Sequence, residues 1–228
     1  MNPKIGCLMW YNSAISKYAD INYAINQAYC KKHGYDLIRS SKAVYTDGRT
    51  LHWEKIPMML LYLDKYDYIV WIDADAHFYL DAACLENVIN AHPNVSLIFS
   101  GDLNQNKLWE INCGFMIVKS DTVSRRLLTM WAYDTMIKTK NTFPYWEQGV
   151  LWYMYSLNLG SIRAHSVIIP YGLLQHFYEH ELVTFGQNKY TLTKKPFIHH
   201  NPGTFALDRY KSSKAYFDLH FAENIGKN

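Results

Sequence analysis

The chain has 228 residues, of which 49% are hydrophobic and 16% aromatic, so it can bury a sizeable core and has many Tyr and Trp suited to flat polar ligands. A formal net charge of +3, with no block of Lys or Arg, argues against a nucleic-acid binder but suits a cleft for an anionic nucleotide. The four scattered cysteines, Cys7, Cys30, Cys84 and Cys113, contain no Cys-x-x-Cys pair, which argues against a disulfide framework or a zinc site and for reduced thiols in a cytoplasmic protein.

Residues 4–10 read as a first strand. Tyr11-Asn12-Ser13 then turns into a helix over residues 13–33, where Ile15, Tyr18, Ala19, Ile25, Ala28 and Tyr29 recur at helical spacing and Gly34 is the stop. Residues 35–39 give a second strand. Strand, helix, strand predicts an α/β fold with a mostly parallel central sheet, whose ligand sits beyond the carboxyl ends of the strands. Those ends hold Trp10, Tyr11 and Asn12, then Ser40 and Ser41. After a polar loop, a helix is predicted over residues 53–66, with Pro57 in its first turn and Ile56, Leu60 and Leu63 facing inward.

The next stretch carries the chemistry. The apolar run from Tyr68 to Ile72 favours a buried strand and ends in Asp73 and Asp75. Alternate side chains of a strand share a face, so the two carboxylates are expected to point the same way. They repel each other unless a cation lies between them. Mn²⁺ or Mg²⁺ carrying a substrate's phosphates answers that need, because hard ions prefer oxygen ligands. A solvated Asp-x-Asp turn is the plain alternative.

Further on, the pattern predicts a short helix over 81–91, a strand over 95–100 and a strand over 111–119. Gly114 interrupts that last strand and marks a bulge or a close backbone approach. Helices follow over 122–138 and 146–157, then a strand over 167–170, a mixed stretch over 172–193 and a last apolar strand entering a turn at 197–203. The rest reads as a polar, aromatic tail. No repeat or linker divides the chain, so one domain over 1–228 is expected. No run is long enough to span a membrane and no signal peptide is recognisable, so a soluble protein is expected.

Five features then fall in one order. Trp53-Glu54-Lys55-Ile56-Pro57 precedes Trp71-Ile72-Asp73-Ala74-Asp75-Ala76; Asn112-Cys113-Gly114-Phe115, Glu147-Gln148 and His200-Asn201-Pro202-Gly203 follow. Together they strongly resemble the galactosyl-, mannosyl- and xylosyltransferases of glycosyltransferase family 34. The family's Asp-Gln pair appears here as Glu-Gln. The resemblance spans about two thirds of the chain.

The resemblance implies a GT-A fold and a metal-dependent transfer, with retention, of a sugar from a nucleotide donor (a UDP-sugar favoured) to a glycan or glycoprotein acceptor. It implies Asp75 as main metal ligand, Asp73 shared between metal and ribose, and a third ligand from His200 or else His199. Lys55 would reach the donor nucleotide or its phosphates, and Tyr11 and Asn12 the base and ribose. Asn112 and Gly114 would line the donor-sugar pocket. Glu147 and Gln148 would sit near the anomeric carbon, Gln148 offering its carbonyl to positive charge and Glu147 binding hydroxyls or acting as nucleophile. A helix-opening Glu that merely pairs with the helix dipole is the rival for Glu147. Trp109, Tyr145 and Trp146 are candidates for sugar stacking.

The chain departs from the family in two places. The Lys that often follows the late His-x-x-Gly is absent, leaving Arg209 or Lys211 to meet the diphosphate. The family's membrane anchor is also missing, which turns the expected location from the Golgi to the cytoplasm. Two other readings remain. A haloacid-dehalogenase-type phosphotransferase needs Asp-x-Asp-x-Thr, but His77 stands where the Thr would be. A non-catalytic sugar- or nucleotide-binding protein would keep the same fold.

Overall fold

A computed structural model describes residues 2–102, 111–133, 145–177, 182–185, 188–191, 196–203 and 206–221. In chain order the elements are β1 (Ile5–Trp10), α1 (Ser16–His33), β2 (Asp36–Ser40), α2 (Lys55–Tyr62), β3 (Tyr68–Ile72), β4 (Ala76–Phe78), α3 (Glu86–Ala91), β5 (Leu97–Gly101), β6 (Ile111–Lys119), α4 (Thr122–Tyr133), α5 (Trp146–Ser156), β7 (Ser166–Ile169), β8 (Gln175–His176), β9 (Leu182–Phe185), β10 (Asn188–Thr191), β11 (Ile198–His200) and α6 (Ala206–Phe221).

The main sheet has six strands in the order β2-β1-β3-β6-β5-β7, and within it only β6 runs against its neighbours. The mostly parallel sheet expected from the first strand-helix-strand unit is therefore present. The central strand β3 is buried on both faces, as parallel strands covered by helices are. Ile69 and Trp71 enter a core with Trp53, Met59, Leu128 and Trp131; Val70 and Ile72 enter another with Tyr18, Tyr29, Phe78 and Phe115. A smaller sheet, β4-β11-β8, stands at the end of β3 and places His199 opposite His77 and His200 opposite Ala76.

Local chemistry explains several boundaries. Asn12 accepts from Ala14 N at 3.0 Å and starts a 3-10 turn that leads into α1. Gly34, with φ 76, ends α1 in the left-handed conformation that glycine tolerates. The pairing of β5 with β6 jumps from Phe99–Met116 to Ser100–Asn112, so residues 113–115 bulge around Gly114 as the glycine predicted.

Other boundaries differ from expectation. The helix over 53–66 is only α2, flanked by 3-10 turns at Leu51–Glu54 and Leu63–Lys65. The helix over 81–91 shortens to α3. Asp73 and Asp75 do not share a strand: β3 ends at Ile72, and Ala76 N donates to Asp73 O at 3.0 Å to close a turn. The presumed tail is helix α6. It packs on α1 with only Ser213 fully buried, so no apolar stripe marks it in the sequence. Tyr216 Oη accepts from Leu80 N at 2.9 Å, and Ser212 Oγ lies 3.1 Å from His199 Nε2. Trp109, the loop 141–144 and the end of the helix expected over 122–138 lie outside the described residues. Among the described residues no helix is long and apolar enough to cross a membrane.

Burial lowers the pKa of His77 to about 4 and that of His199 to about 3. Both are neutral in the folded chain near pH 6, whereas an unfolded histidine takes its proton at about 6.5. The unfolded state thus binds more protons below that pH, so stability is lost as pH falls from about 6.5 towards 4. The melting temperature is expected to drop between pH 7 and pH 5. His77→Phe, which keeps a ring and removes a titration, should flatten that drop; an unchanged slope would contradict the assignment.

Candidate active site

The site is built where β3 stops. Asp73 N donates to Gly114 O at 2.8 Å, which carries the β3–β6 pairing one residue past the strand. The turn then swings Asp75 back towards Asp73. Because β4 follows at once and pairs with β11, His200 arrives beside this turn, and Asn201 N donates to Asp75 O at 3.0 Å. His200 Nε2 lies 3.2 Å from Asp75 Oδ1. One ligand atom from each of Asp73, Asp75 and His200 falls within 4.8 Å of the others. Two carboxylate oxygens and an imidazole nitrogen at that spacing fit a divalent ion such as Mn²⁺.

The glycine of β6 has a specific reason. A Cβ built on Gly114 would lie 2.1 Å from His200 Cε1, so only glycine leaves room for that ring. The expectation was a pocket for donor sugar; the structure places the histidine there. His199 points to the other face of β11, as alternation requires. Its ring nitrogens meet Tyr79 Oη at 3.3 Å, Asn201 Oδ1 at 3.2 Å and Ser212 Oγ at 3.1 Å, outside the acidic group.

Lys55 is not free to reach out. It is 4% exposed, and its Nζ lies 2.8 Å from Glu147 Oε1, 3.2 Å from Asp73 Oδ1 and 3.3 Å from Cys113 O. Burial works against its charge, but Asp73 and Glu147 more than reverse this and hold its pKa above the usual lysine value. Burial pushes Glu147 up, with Lys55 opposing. Only Oε1 of Glu147 is paired; Oε2 is buried without a hydrogen-bond partner among the described residues. Asp73 also accepts from the Trp71 indole at 2.6 Å. Burial would raise Asp75, yet His200 and Arg209 more than offset it and keep its carboxyl below the usual range. Arg209 Nε lies 3.1 Å from Asp75 Oδ2.

Helix α5 is entered through two bulky residues with positive φ, Tyr145 at 63° and Trp146 at 50°. Such strain persists only where surroundings impose it, and it clusters at functional sites. Here it leaves Trp146 on the rim, its ring stacked on His52 at 4.1 Å, while Glu147 and Gln148 turn inward. Gln148 Oε1 accepts from Cys113 N at 2.9 Å, so the carbonyl expected at the anomeric carbon is tied to β6 and has one lone pair left.

Two adjoining clefts meet over the acidic turn. The larger, about 660 Å³, is lined by Asp102, Asn112, Tyr145, Trp146, Glu147, Gln148, Phe177 and Gly203 among others. The smaller, about 310 Å³, lies between Trp10, Asn12, Tyr18 and Leu51. His52, Lys55, Asp73, Asp75 and Arg209 line both. Tyr11, expected here, is buried in the opposite core and its hydroxyl donates to Asp20 at 2.8 Å. Strand alternation puts Trp10 and Asn12 on the cleft side instead, a distinction the sequence already held. Lys211 is exposed and outside both clefts. His52, Tyr18, Asp102 and Phe177 join the site without any motif to announce them.

Residues 10–107 match the galactosyl transferase GMA12/MNN10 family, the segment that holds Lys55, Asp73 and Asp75. No curated protein matches the chain by sequence. Among solved structures, a glycosyltransferase involved in glycosylation of the major capsid of PBCV-1 is similar at TM-score 0.72 and 17% identity, covering 93% of this chain and 100% of that one. The galactosyltransferase LgtC, solved with donor and acceptor sugar analogs, is similar at TM-score 0.58 and 11% identity, covering 92% and 95%. GlyE of Streptococcus pneumoniae TIGR4 follows at TM-score 0.56 and 11% identity, covering 98% and 64%. The fold shared with these enzymes is GT-A.

Lys55→Met would leave Glu147 buried and uncompensated, and breaking such a pair costs about 3–5 kcal/mol. Urea denaturation should show a loss of that order. A loss below about 1 kcal/mol would mean the pair is of the weak, solvated kind.

Proposed function

We propose that this chain, a glycosyltransferase family 34 protein of GT-A fold, is a metal-dependent enzyme that moves a sugar from a nucleotide donor, UDP-linked by preference, to a glycan hydroxyl with retention. The observation that carries this reading is the convergence of Asp73, Asp75 and His200 at the junction of two clefts, with Lys55 and Arg209 beside them. A divalent ion held by those three ligands would neutralise the donor's diphosphate and the nucleotide as it leaves, as a Lewis acid does.

The chain's own residues divide the remaining work. Trp10, Asn12 and Tyr18 line the smaller cleft and receive base and ribose. Arg209 faces the junction and meets phosphate oxygens, a role for which its planar fork is suited. Asn112, Glu147 and Gln148 line the larger cleft and bind the donor sugar. Glu147, with Oε1 fixed by Lys55 and Oε2 unpaired, accepts from sugar hydroxyls or faces the anomeric carbon. Lys55 acts through Asp73 and Glu147: it pairs with both carboxylates and fixes their separation. Tyr145 and Trp146 offer rim surface to an acceptor sugar. We read the chain as one domain, and its four free cysteines suit a reducing, cytoplasmic setting.

Thermal melts test the reading. Mn²⁺ with UDP or GDP is expected to raise the melting temperature by several degrees, because a ligand at about 100 times its Kd adds about 2.7 kcal/mol. Asp75→Ala should abolish the shift. No shift with either nucleotide, or the same shift in Asp75→Ala, would refute the assignment. Donor hydrolysis assayed with UDP-glucose, UDP-galactose, UDP-xylose, UDP-rhamnose and GDP-mannose then identifies the sugar. Nucleotide binding with no hydrolysis or transfer for any donor would favour the non-catalytic reading.

A further inference from the structure

Arg209 enters the site from α6, a helix outside every motif that pointed to the acidic turn. Its Nε lies 3.1 Å from Asp75 Oδ2 and donates to Asn201 O at 3.0 Å, while Nη1 donates to the Tyr18 hydroxyl at 3.4 Å. Asp75 Oδ1 faces His200 Nε2 at 3.2 Å. Lys55 occupies Asp73 in the same way, 3.2 Å from Oδ1. Both carboxylates of the candidate metal site are therefore already paired with a protein cation.

The two cations differ in freedom. Lys55 is enclosed and held by three partners, so its charge stays where it is. Arg209 is partly exposed, with 22% of its side chain open, and lines both clefts at their junction. A dication approaching Asp75 alone meets a guanidinium bound to the same carboxylate, in a setting too buried for water to screen the repulsion well. A diphosphate at the junction offers that guanidinium oxygens of its own, with geometry that a planar fork matches.

We infer that Arg209 couples the two ligands: it is the resident counter-ion of Asp75, it weakens binding of the divalent ion alone, and a diphosphate engages it so that ion and nucleotide bind cooperatively. This rests on the functional reading above. The coupling is reciprocal, since each ligand must tighten the other by the same factor. It also makes α6 part of the donor site.

The test is a Mn²⁺ titration of the full chain, with free Mn²⁺ read by electron paramagnetic resonance, without and with saturating UDP. In the unmodified protein UDP should tighten Mn²⁺ binding by about tenfold or more. Arg209→Met keeps an unbranched apolar stem and removes the guanidinium with its charge. It should bind Mn²⁺ alone more tightly than the unmodified protein and cut the UDP effect by about threefold or more, the rest coming from the ion's own contact with the diphosphate. Arg209→Lys keeps the charge without the fork; weak binding of the ion alone should remain, with a smaller UDP effect, and this variant decides the matter if Arg209→Met does not fold. Coupling equal to that of the unmodified protein in a folded variant, or weaker binding of Mn²⁺ alone in Arg209→Met, overturns the inference while leaving the functional reading in place. An unmodified protein that binds neither Mn²⁺ nor UDP overturns both.

Discussion

Two carboxylates at the end of a buried central strand are a repulsive arrangement, and much of the surrounding structure answers it. Asp73 and Asp75 face each other across a turn whose geometry is fixed by Ala76 N and by pairing with Gly114. Lys55 comes from α2 to one carboxylate, and Arg209 from α6 to the other. His200 comes from β11, which can reach Asp75 only because β4 begins directly after the turn. Elements from distant parts of the chain are thus drawn to one point by charge. Apolar packing on both faces of β3 holds that point still.

The arrangement has a chemical polarity. On one side of the turn, Trp10, Asn12 and Tyr18 frame a small cleft suited to a flat ring and a ribose. On the other, Glu147, Gln148, Asn112 and Asp102 crowd a larger cleft with hydrogen-bonding groups. A nucleotide sugar has the same order of parts: base, diphosphate, sugar. Lys55 spans the divide, since it touches both Asp73 and Glu147. That buried amine ties the acidic turn to the start of α5 and lines both clefts, which explains why it is enclosed.

Much of this was legible in the sequence, and particular residues show why. The apolar run from Tyr68 to Ile72 favours a buried strand, and the acidic pair after it pointed to a cation or to a solvated turn. Gly114 announced an irregular strand. The reason for it, the His200 ring, depends on a residue far along the chain and could not be read locally. Tyr11 was misplaced by one position: alternation along β1 sends Trp10 and Asn12 to the cleft and Tyr11 to the core. Helix α6 carries no apolar stripe to announce it: Arg209, Ser212 and Tyr216 make polar contacts, and only Ser213 is fully buried. The adjacent histidines were left open by the motif alone. Their pairing in β11 separates them, sending His200 to the carboxylates and His199 to Tyr79 and Ser212.

The central claim is that Asp73, Asp75 and His200 hold one divalent ion against a donor diphosphate. A crystal structure grown with Mn²⁺ and UDP tests it most directly, through the anomalous signal of manganese. The account predicts a single strong peak within coordination distance of all three side chains, bridged to the β-phosphate of UDP. UDP bound with no manganese at these residues, or manganese held elsewhere in the cleft, would contradict it.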